Sequence, residues 1–257
     1  MPDSLKIAAI QTSLVWENPS ANRELLQEKI QMVENVDLIV LPEMFTSGFT
    51  MNAETVAEDN DGKTLAWLTQ LASEKNMAIT GSIAFKENSN FYNRMFFVTP
   101  SGEVFKYDKR HTFTLAGEDK VYTAGKEKVI VKYNGWHLCL QVCYDLRFPV
   151  FARNVEDYDA MIYVANWPNK RVNAWDVLLQ ARAIENMCYV VGVNRIGLDG
   201  NNFEYSGHSA VYDPLGESLV YSENEELLYA TLEKSTIEKY RSGLKFLDDR
   251  DRFRLLD

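Results

Sequence analysis

Leu138-Cys139-Leu140-Gln141-Val142-Cys143-Tyr144-Asp145-Leu146-Arg147-Phe148-Pro149 is the stretch on which the reading of this chain turns. An apolar strand stops at Cys143, and a polar turn followed by a helix-like segment takes over. That layout sets a thiol at the rim of a sheet, beside the backbone N–H groups that open the next element. Those N–H groups have no partner inside the element they begin, so they are free to hold an oxyanion. A thiol at such a corner can be made nucleophilic by a neighbouring base. Taken alone, Cys143 also reads as a buried structural thiol, which is the reading for Cys139 and Cys188.

Working outward, two further segments end at similar corners. Leu41-Pro42-Glu43 closes the apolar strand Asp37–Leu41, and Tyr107-Asp108-Lys109-Arg110-His111 follows the strand-like run Glu103–Tyr107. Glu43 by itself is a loop carboxylate or a helix cap. At a sheet rim, flanked by Met44 and Phe45, it would be partly desolvated, the setting a general base requires. Lys109 is a surface cation in a charged turn, or else a buried ammonium beside Glu43 that stabilises negative charge on a substrate oxygen. Arg182 and Glu185 read as an i,i+3 pair along a helix.

The rest of the chain alternates strands and helices. Lys6–Gln11 and Ala78–Ala84 are buried strands, and amphipathic helices are expected from Asn18 to about Glu34 and from Gly62 to Asn76. Phe91–Thr99 and Glu103–Tyr107 flank a Pro-Ser-Gly turn as a hairpin, and Val129–Tyr133 and Trp136–Val142 flank Asn134-Gly135, the strongest hairpin signal. A helix after Cys143, the strand Ala160–Ala165, a long helix from about Asn173 to Asn186 and the strand Tyr189–Asn194 follow. Ser209–Tyr212, Glu217–Val220 and Leu227–Thr231 close a meander. No linker, repeat or low-complexity tract divides the chain, so a single domain over residues 1–257 is expected, α/β in class. Chain order alone admits one sheet with helices on both faces as well as two sheets.

Bulk properties narrow the function. At 257 residues the chain can bury a substantial core, and its 46% apolar and 25% charged residues are ordinary for a globular enzyme. A net charge of −10 argues against nucleic acid as a partner. It leaves an anionic small molecule open, since a few local cations can dominate a pocket. No apolar run is long enough to span a bilayer, and no signal peptide is visible at Met1–Lys6. The 3 cysteines do not form a disulfide framework, so a reducing, cytoplasmic setting is expected. His111, His137 and His208 are dispersed, without the spacing of a zinc site, and no glycine-rich phosphate loop is present. Neither a metal nor a cofactor is implied. The residue pattern leaves His208 open as a partner for Cys143.

Glu43, Lys109 and Cys143, each at a corner and in that order, resemble the catalytic triad of the nitrilase superfamily of carbon–nitrogen hydrolases. The resemblance runs from about Lys6 to Lys234 and takes in Ala165-Asn166-Trp167-Pro168, Ala181–Asn186 and Gly207-His208-Ser209. It implies a four-layer αββα sandwich, with Glu43 as general base, Lys109 as oxyanion-stabilising lysine and Cys143 as nucleophile. Glu118, in Ala116-Gly117-Glu118, matches a second glutamate that many members carry, and His208 becomes structural. The surroundings of Cys143, Asn166 and Asn186 are similar to the omega-amidase branch of 2-oxoglutaramate type. A small linear acid with a terminal amide, 2-oxoglutaramate or 2-oxosuccinamate, is the implied substrate, releasing ammonia. The substrate-contacting set would be the Tyr144 N–H, Arg147 or Arg171 for the carboxylate, and Phe113, Trp167 and Trp175 as pocket walls. Other amides or carbamoyl compounds, deaminated glutathione included, and a catalytically silent nitrilase-like binding protein are the alternatives. The family further implies a homodimer, with residues 246–257 as a candidate C-terminal arm.

Overall fold

The computed structural model describes residues 3–255. Strands β1 (Ser4–Gln11), β2 (Leu38–Val40), β3 (Ala78–Glu87), β4 (Asn90–Val98) and β5 (Val104–Asp108) occupy the first half, with helices α1 (Pro19–Gln31), α2 (Ala53–Val56) and α3 (Lys63–Lys75) between them. The second half continues with β6 (Ile130–Tyr133), β7 (Trp136–Val142), α4 (Pro149–Ala152), β8 (Ala160–Ala165), α5 (Val172–Asn186) and β9 (Tyr189–Asn194). A short hairpin of β10 (Ile196–Leu198) and β11 (Glu204–Ser206) precedes β12 (Ser209–Tyr212), β13 (Ser218–Ser222), β14 (Glu226–Glu233) and α6 (Lys234–Leu244).

Two six-stranded sheets result, ordered β14-β1-β2-β3-β4-β5 and β13-β12-β9-β8-β7-β6. Each has three parallel strands at its heart, β1-β2-β3 in one and β7-β8-β9 in the other, extended on both sides by antiparallel neighbours. Side-chain alternation explains the layering. Leu38 and Val40 face Leu138, Leu140, Val142, Ile162 and Val164 in a core between the sheets. Ile39 and Leu41 point the other way, onto Leu26 and Ile30 of α1 and Leu68, Leu71 and Ala72 of α3. On the far side, Cys139, Met161, Tyr163 and Val190 pack under Trp175, Leu179 and Ala183 of α5. The architecture is the αββα sandwich, and strands covered on both faces read as the unbroken apolar runs seen in the sequence.

Local chemistry sets the ends of the elements. Asn18 caps α1 by accepting from the Ala21 N–H at 3.1 Å, and Pro19 opens the helix. The helix stops at Gln31 rather than near Glu34, because Met32 and Val33 bond to carbonyls three residues back and tighten the last turn. Asn134 and Gly135 both take positive φ, 48° and 80°, as the two-residue turn between β6 and β7 requires. The helix expected after Cys143 is instead a 3₁₀ turn over Cys143–Arg147 followed by the single turn of α4. Pro149 is the reason: it forces Phe148 into an extended conformation and interrupts the helix. The β10–β11 hairpin and α6 were absent from the sequence reading. The first is masked by its turn residues Gly200, Asn201 and Asn202, and α6 buries only Ile237.

Candidate active site

The C-terminal ends of the parallel strands meet at one rim of the sandwich, where open parallel sheets place their ligands. The chain leaves β2 through Leu41-Pro42 and turns at Glu43. Met44 then takes a left-handed φ of 42°, and the Phe45 N–H bonds back to Ser82 O on β3 at 3.0 Å. Cys143 ends β7 with its own φ at 45°. Left-handed backbone at a non-glycine residue costs energy and persists where its surroundings enforce it. Asp145 does so at this corner. It is fully buried, and its carboxylate accepts from the Val142 N–H at 2.9 Å, Tyr107 Oη at 2.7 Å and the His111 N–H at 3.0 Å. One side chain thereby joins the thiol corner to the segment carrying Lys109.

Lys109 follows β5 directly across from Asn93 of β4, its N–H bonded to Asn93 O at 3.0 Å. Its ammonium is buried and lies 3.0 Å from Glu43 Oε1, 2.8 Å from Glu118 Oε2 and 3.0 Å from Glu118 Oε1. Burial works against this charge, but Glu118 and Glu43 outweigh it and hold the ammonium well above an ordinary lysine. Two of the contacts go to one carboxylate, so an N–H can turn toward a ligand without breaking either ion pair. For Glu118 burial dominates and pushes the carboxyl up, with Lys109 pulling the other way and Glu43 adding to the rise. Glu118 also accepts the Phe113 N–H at 2.6 Å, which anchors the segment Phe113–Ala116 at the mouth of the site.

The Cys143 thiol opens onto a cavity of about 740 Å³. It is partly exposed there, yet protein surrounds it on its other sides. Burial, followed by the charge of Glu43, pushes it well above an ordinary thiol, and Lys109 only partly compensates. A thiol raised in this way stays protonated at neutral pH. Lys109, Phe113, Tyr144, Arg147, Trp167 and Arg171 line the same cavity. Arg147 stacks over Trp167 at 4.9 Å and Arg171 over Phe113 at 5.1 Å. Among the described residues, neither arginine nor the nearby Lys170 has an acidic partner. Two carboxylates that line the same cavity are already hydrogen-bonded. Glu17 holds Thr50 and Asn52, while Asp199 accepts from Tyr205 Oη at 3.0 Å and from the Asn201 and Phe203 N–H groups at 2.8 and 2.9 Å.

The structure thus gathers Glu43, Lys109, Glu118 and Cys143 at one point, with Tyr144, Arg147, Phe113 and Trp167 around them. Trp175 does not join them and is corrected to a core residue. Its ring is fully buried behind Trp167, 5.6 Å away, and its indole N–H bonds to His208 O at 2.8 Å. It shares a face of α5 with Leu179 and Ala183, and that face packs on the sheet. His208 is held outside the cavity by Asp176 and Tyr221 at 2.9 and 2.7 Å. Three buried residues escaped the sequence reading as parts of the site: Asn93, Asp145 and Asn166, whose N–H reaches Glu43 Oε2 at 2.7 Å. The available signal for Asn93 was a polar residue breaking the apolar run of β4. Among the described residues no group of three His, Cys, Asp or Glu is placed to hold a metal ion.

A family described as carbon-nitrogen hydrolase matches residues 6–242, and the chain belongs to that family. An omega-amidase named YafV from Yersinia enterocolitica is 43% identical, over 98% of this chain and 99% of its own. A 2-oxoglutaramate amidase from Bacillus subtilis is 31% identical, over 95% of this chain and 96% of its own. The crystal structure of XC1258 from Xanthomonas campestris, a CN-hydrolase superfamily protein with an arsenic adduct in its active site, is 42% identical with a TM-score of 0.96. That comparison covers 98% of this chain and 99% of the other.

The raised thiol sets a testable pH dependence. A thiolate is scarce while pH lies below the thiol's pKa, and Cys143 is pushed well above the ordinary value of 9.0. Iodoacetamide is expected to label Cys143 ahead of the sealed Cys139 and Cys188, at a rate that keeps climbing through pH 9. Mass spectrometry of the labelled peptides reads both points, and a plateau below pH 8 would show a preformed thiolate instead.

Proposed function

We propose that this chain is a cysteine-dependent amidase for small linear carboxylic acids bearing a terminal amide, of the omega-amidase type and acting on 2-oxoglutaramate or 2-oxosuccinamate. The observation that carries the substrate class is the pair Arg147 and Arg171, uncompensated on the wall of the cavity that holds Cys143. A substrate carboxylate there gains charge-assisted contacts, and the stacked guanidinium planes offer their N–H edges without further ordering. Similarity to proteins named omega-amidase and 2-oxoglutaramate amidase supports the same reading.

In the proposed chemistry Glu43 takes the thiol proton as sulfur attacks the amide carbon. The oxyanion forms between the Lys109 ammonium and the Tyr144 N–H, which lies at the open start of the 3₁₀ turn. The C–N bond breaks as Glu43 returns the proton to the leaving nitrogen, so ammonia departs and a thioester remains. Glu43 next removes a proton from water, hydroxide oxygen displaces sulfur, and the proton returns to the thiol. Glu118 keeps Lys109 charged and in place throughout. The neutral resting thiol favours proton removal concerted with attack over a stored thiolate. A second reading, a larger anionic amide, draws on volume: about 740 Å³ lies in the range that encloses a drug-sized ligand.

In the same proposal, residues 1–257 act as one cytoplasmic domain that pairs as a homodimer. The structure ties the start of the candidate arm to its own chain, with Leu247 buried and Arg250 on Asp157 at 2.7 Å, and leaves Phe246, Phe253 and Leu255 exposed. Residues 256–257 of that arm lie outside the described residues.

Ammonia release from 2-oxoglutaramate is expected to exceed that from a neutral amide of equal length, and mass spectrometry during turnover should detect the acyl adduct on Cys143. Equal specificity constants for the two amides would leave a general amidase. Arg147→Met or Arg171→Met should then cost the carboxylated amide roughly 10-fold or more in kcat/KM while sparing the neutral one. Light scattering tests the assembly: the full chain should run as a dimer, and a chain ending at Leu244 should dissociate more readily. A monomeric full chain would rule out the dimer, and an unchanged truncated dimer would remove the arm from the interface.

A further inference from the structure

Glu43 is held by more donors than an ion pair with Lys109 demands. Its Oε1 accepts from Lys109 Nζ at 3.0 Å and from Asn93 Nδ2 at 2.7 Å, whereas its Oε2 accepts from the Asn166 N–H at 2.7 Å. Each carboxylate oxygen offers two lone-pair sites. Oε1 is therefore full, and Oε2 keeps one site open. A proton arriving from the thiol or from water has a vacant position only at Oε2.

Asn93 can fill Oε1 only if its amide presents the NH₂ end, which the two carboxylates it faces demand and Ser82 reinforces. The Ser82 hydroxyl accepts from the Met44 N–H at 2.9 Å, so its own proton goes to Asn93 Oδ1 at 2.8 Å. With Oδ1 taken, the two amide hydrogens point to Glu43 Oε1 and, at 3.2 Å, to Glu118 Oε1. All of these groups are buried, so water does not substitute for a missing donor. The relay begins on the backbone N–H of the residue after Glu43 and returns to the Glu43 side chain, locking the corner and its carboxylate together.

We infer that Asn93 is a positioning residue, oriented by Ser82, which closes Oε1 of Glu43 to protons and directs proton transfer through Oε2. The inference rests on the proposed role of Glu43 as general base. Without Asn93 the carboxylate regains a vacant site on Oε1, on the side occupied by Lys109. Its terminal torsion is broad, so the group can then turn and take its proton at the unproductive oxygen.

The experiment is steady-state kinetics across pH on 2-oxoglutaramate, or on whichever amide the chain turns over best, for Asn93→Leu, Ser82→Ala and Glu43→Gln beside the wild type. Asn93→Leu keeps the branched shape and removes both donors. Its kcat is expected to fall roughly 10- to 100-fold, with KM within about threefold of wild type. The acidic limb of its profile should move to higher pH, because a carboxylate that loses a donor holds its proton more tightly. Ser82→Ala leaves Asn93 Oδ1 without its donor and loosens the amide, so it should shift the profile the same way with a smaller loss of rate. It also decides the matter if Asn93→Leu fails to fold. A merely structural Asn93 would lower kcat without moving the limb in either variant, and that result overturns the inference, as does near-wild-type kcat in a folded Asn93→Leu. Retained activity in Glu43→Gln would instead remove the base itself, so the two failures are told apart.

Discussion

The contact on which the rest of the site depends is the buried ammonium of Lys109 between the carboxylates of Glu43 and Glu118. Taking ionised groups out of water costs several kcal/mol each, and one ammonium cannot neutralise two carboxylates. The protein offsets the imbalance with dipoles. Asn93 Nδ2, the Asn166 N–H and the Phe113 N–H all donate into the pair of carboxylates. Asn93 and Asn166 reach Glu43 from other elements, while Phe113 serves Glu118 within the segment after β5, so the cluster exists only when β2, β4, β8 and that segment are all in place. The same connectivity makes the cluster a poor source of stability and a demanding one for specificity. Removing any partner leaves a buried charge short of a contact.

That demand explains why the fold invests in a double sheet. A single sheet with helices on both faces would present the strand ends along one line. Two sheets packed face to face bring the end of β2 opposite the ends of β7 and β8, which is how Asn166 from one sheet comes to bond Glu43 from the other. The inter-sheet core of Leu38, Val40, Met95 and Phe97 against Leu140, Val142, Ile162 and Val164 holds that juxtaposition rigid. Left-handed backbone at Met44 and at Cys143 then turns the chain just beyond the two strand ends. Such strain is tolerable because Ser82 and Asp145 each bond a backbone N–H at the corner they support.

Most of the scaffold was legible because its signals are local. Apolar runs gave the central strands, Asn18-Pro19 gave the start of α1, and Asn134-Gly135 gave the β6–β7 turn. Glu43 and Cys143 lie where apolar runs stop and Lys109 follows the strand-like run Glu103–Tyr107, and it was the likeness to a family that joined the three. What stayed hidden is whatever depends on a partner far along the chain. Asn93 and Ser82 look like polar blemishes in strands until the Glu43 corner is folded against them. Asp145 looks like a turn residue until Tyr107 and His111 arrive at its carboxylate. Trp175 was misread because an aromatic residue on a helix carries no mark of which side it faces. Leu179 and Ala183, one and two turns on, mark the inward stripe only once the sheet beneath is known.

Charge behaves the same way at two scales. The chain carries a net charge of −10, yet the cavity wall beyond Cys143 presents Arg147, Lys170 and Arg171 with no acid among the described residues to quench them. Glu17 and Asp199, acids that line the same cavity, accept from Thr50, Asn52, Tyr205 and backbone N–H groups. The donors are neutral, so both acids keep their charge, and the potential a ligand meets is set by where these cations and acids sit along the wall, on which global composition is silent. The thiol responds to the same logic in reverse. Burial and the charge of Glu43 push its pKa up and Lys109 only partly offsets them, so the thiol stays protonated. Reactivity of a thiol follows its thiolate fraction, so a group held protonated in this way is alkylated or oxidised slowly even though it opens onto the cavity.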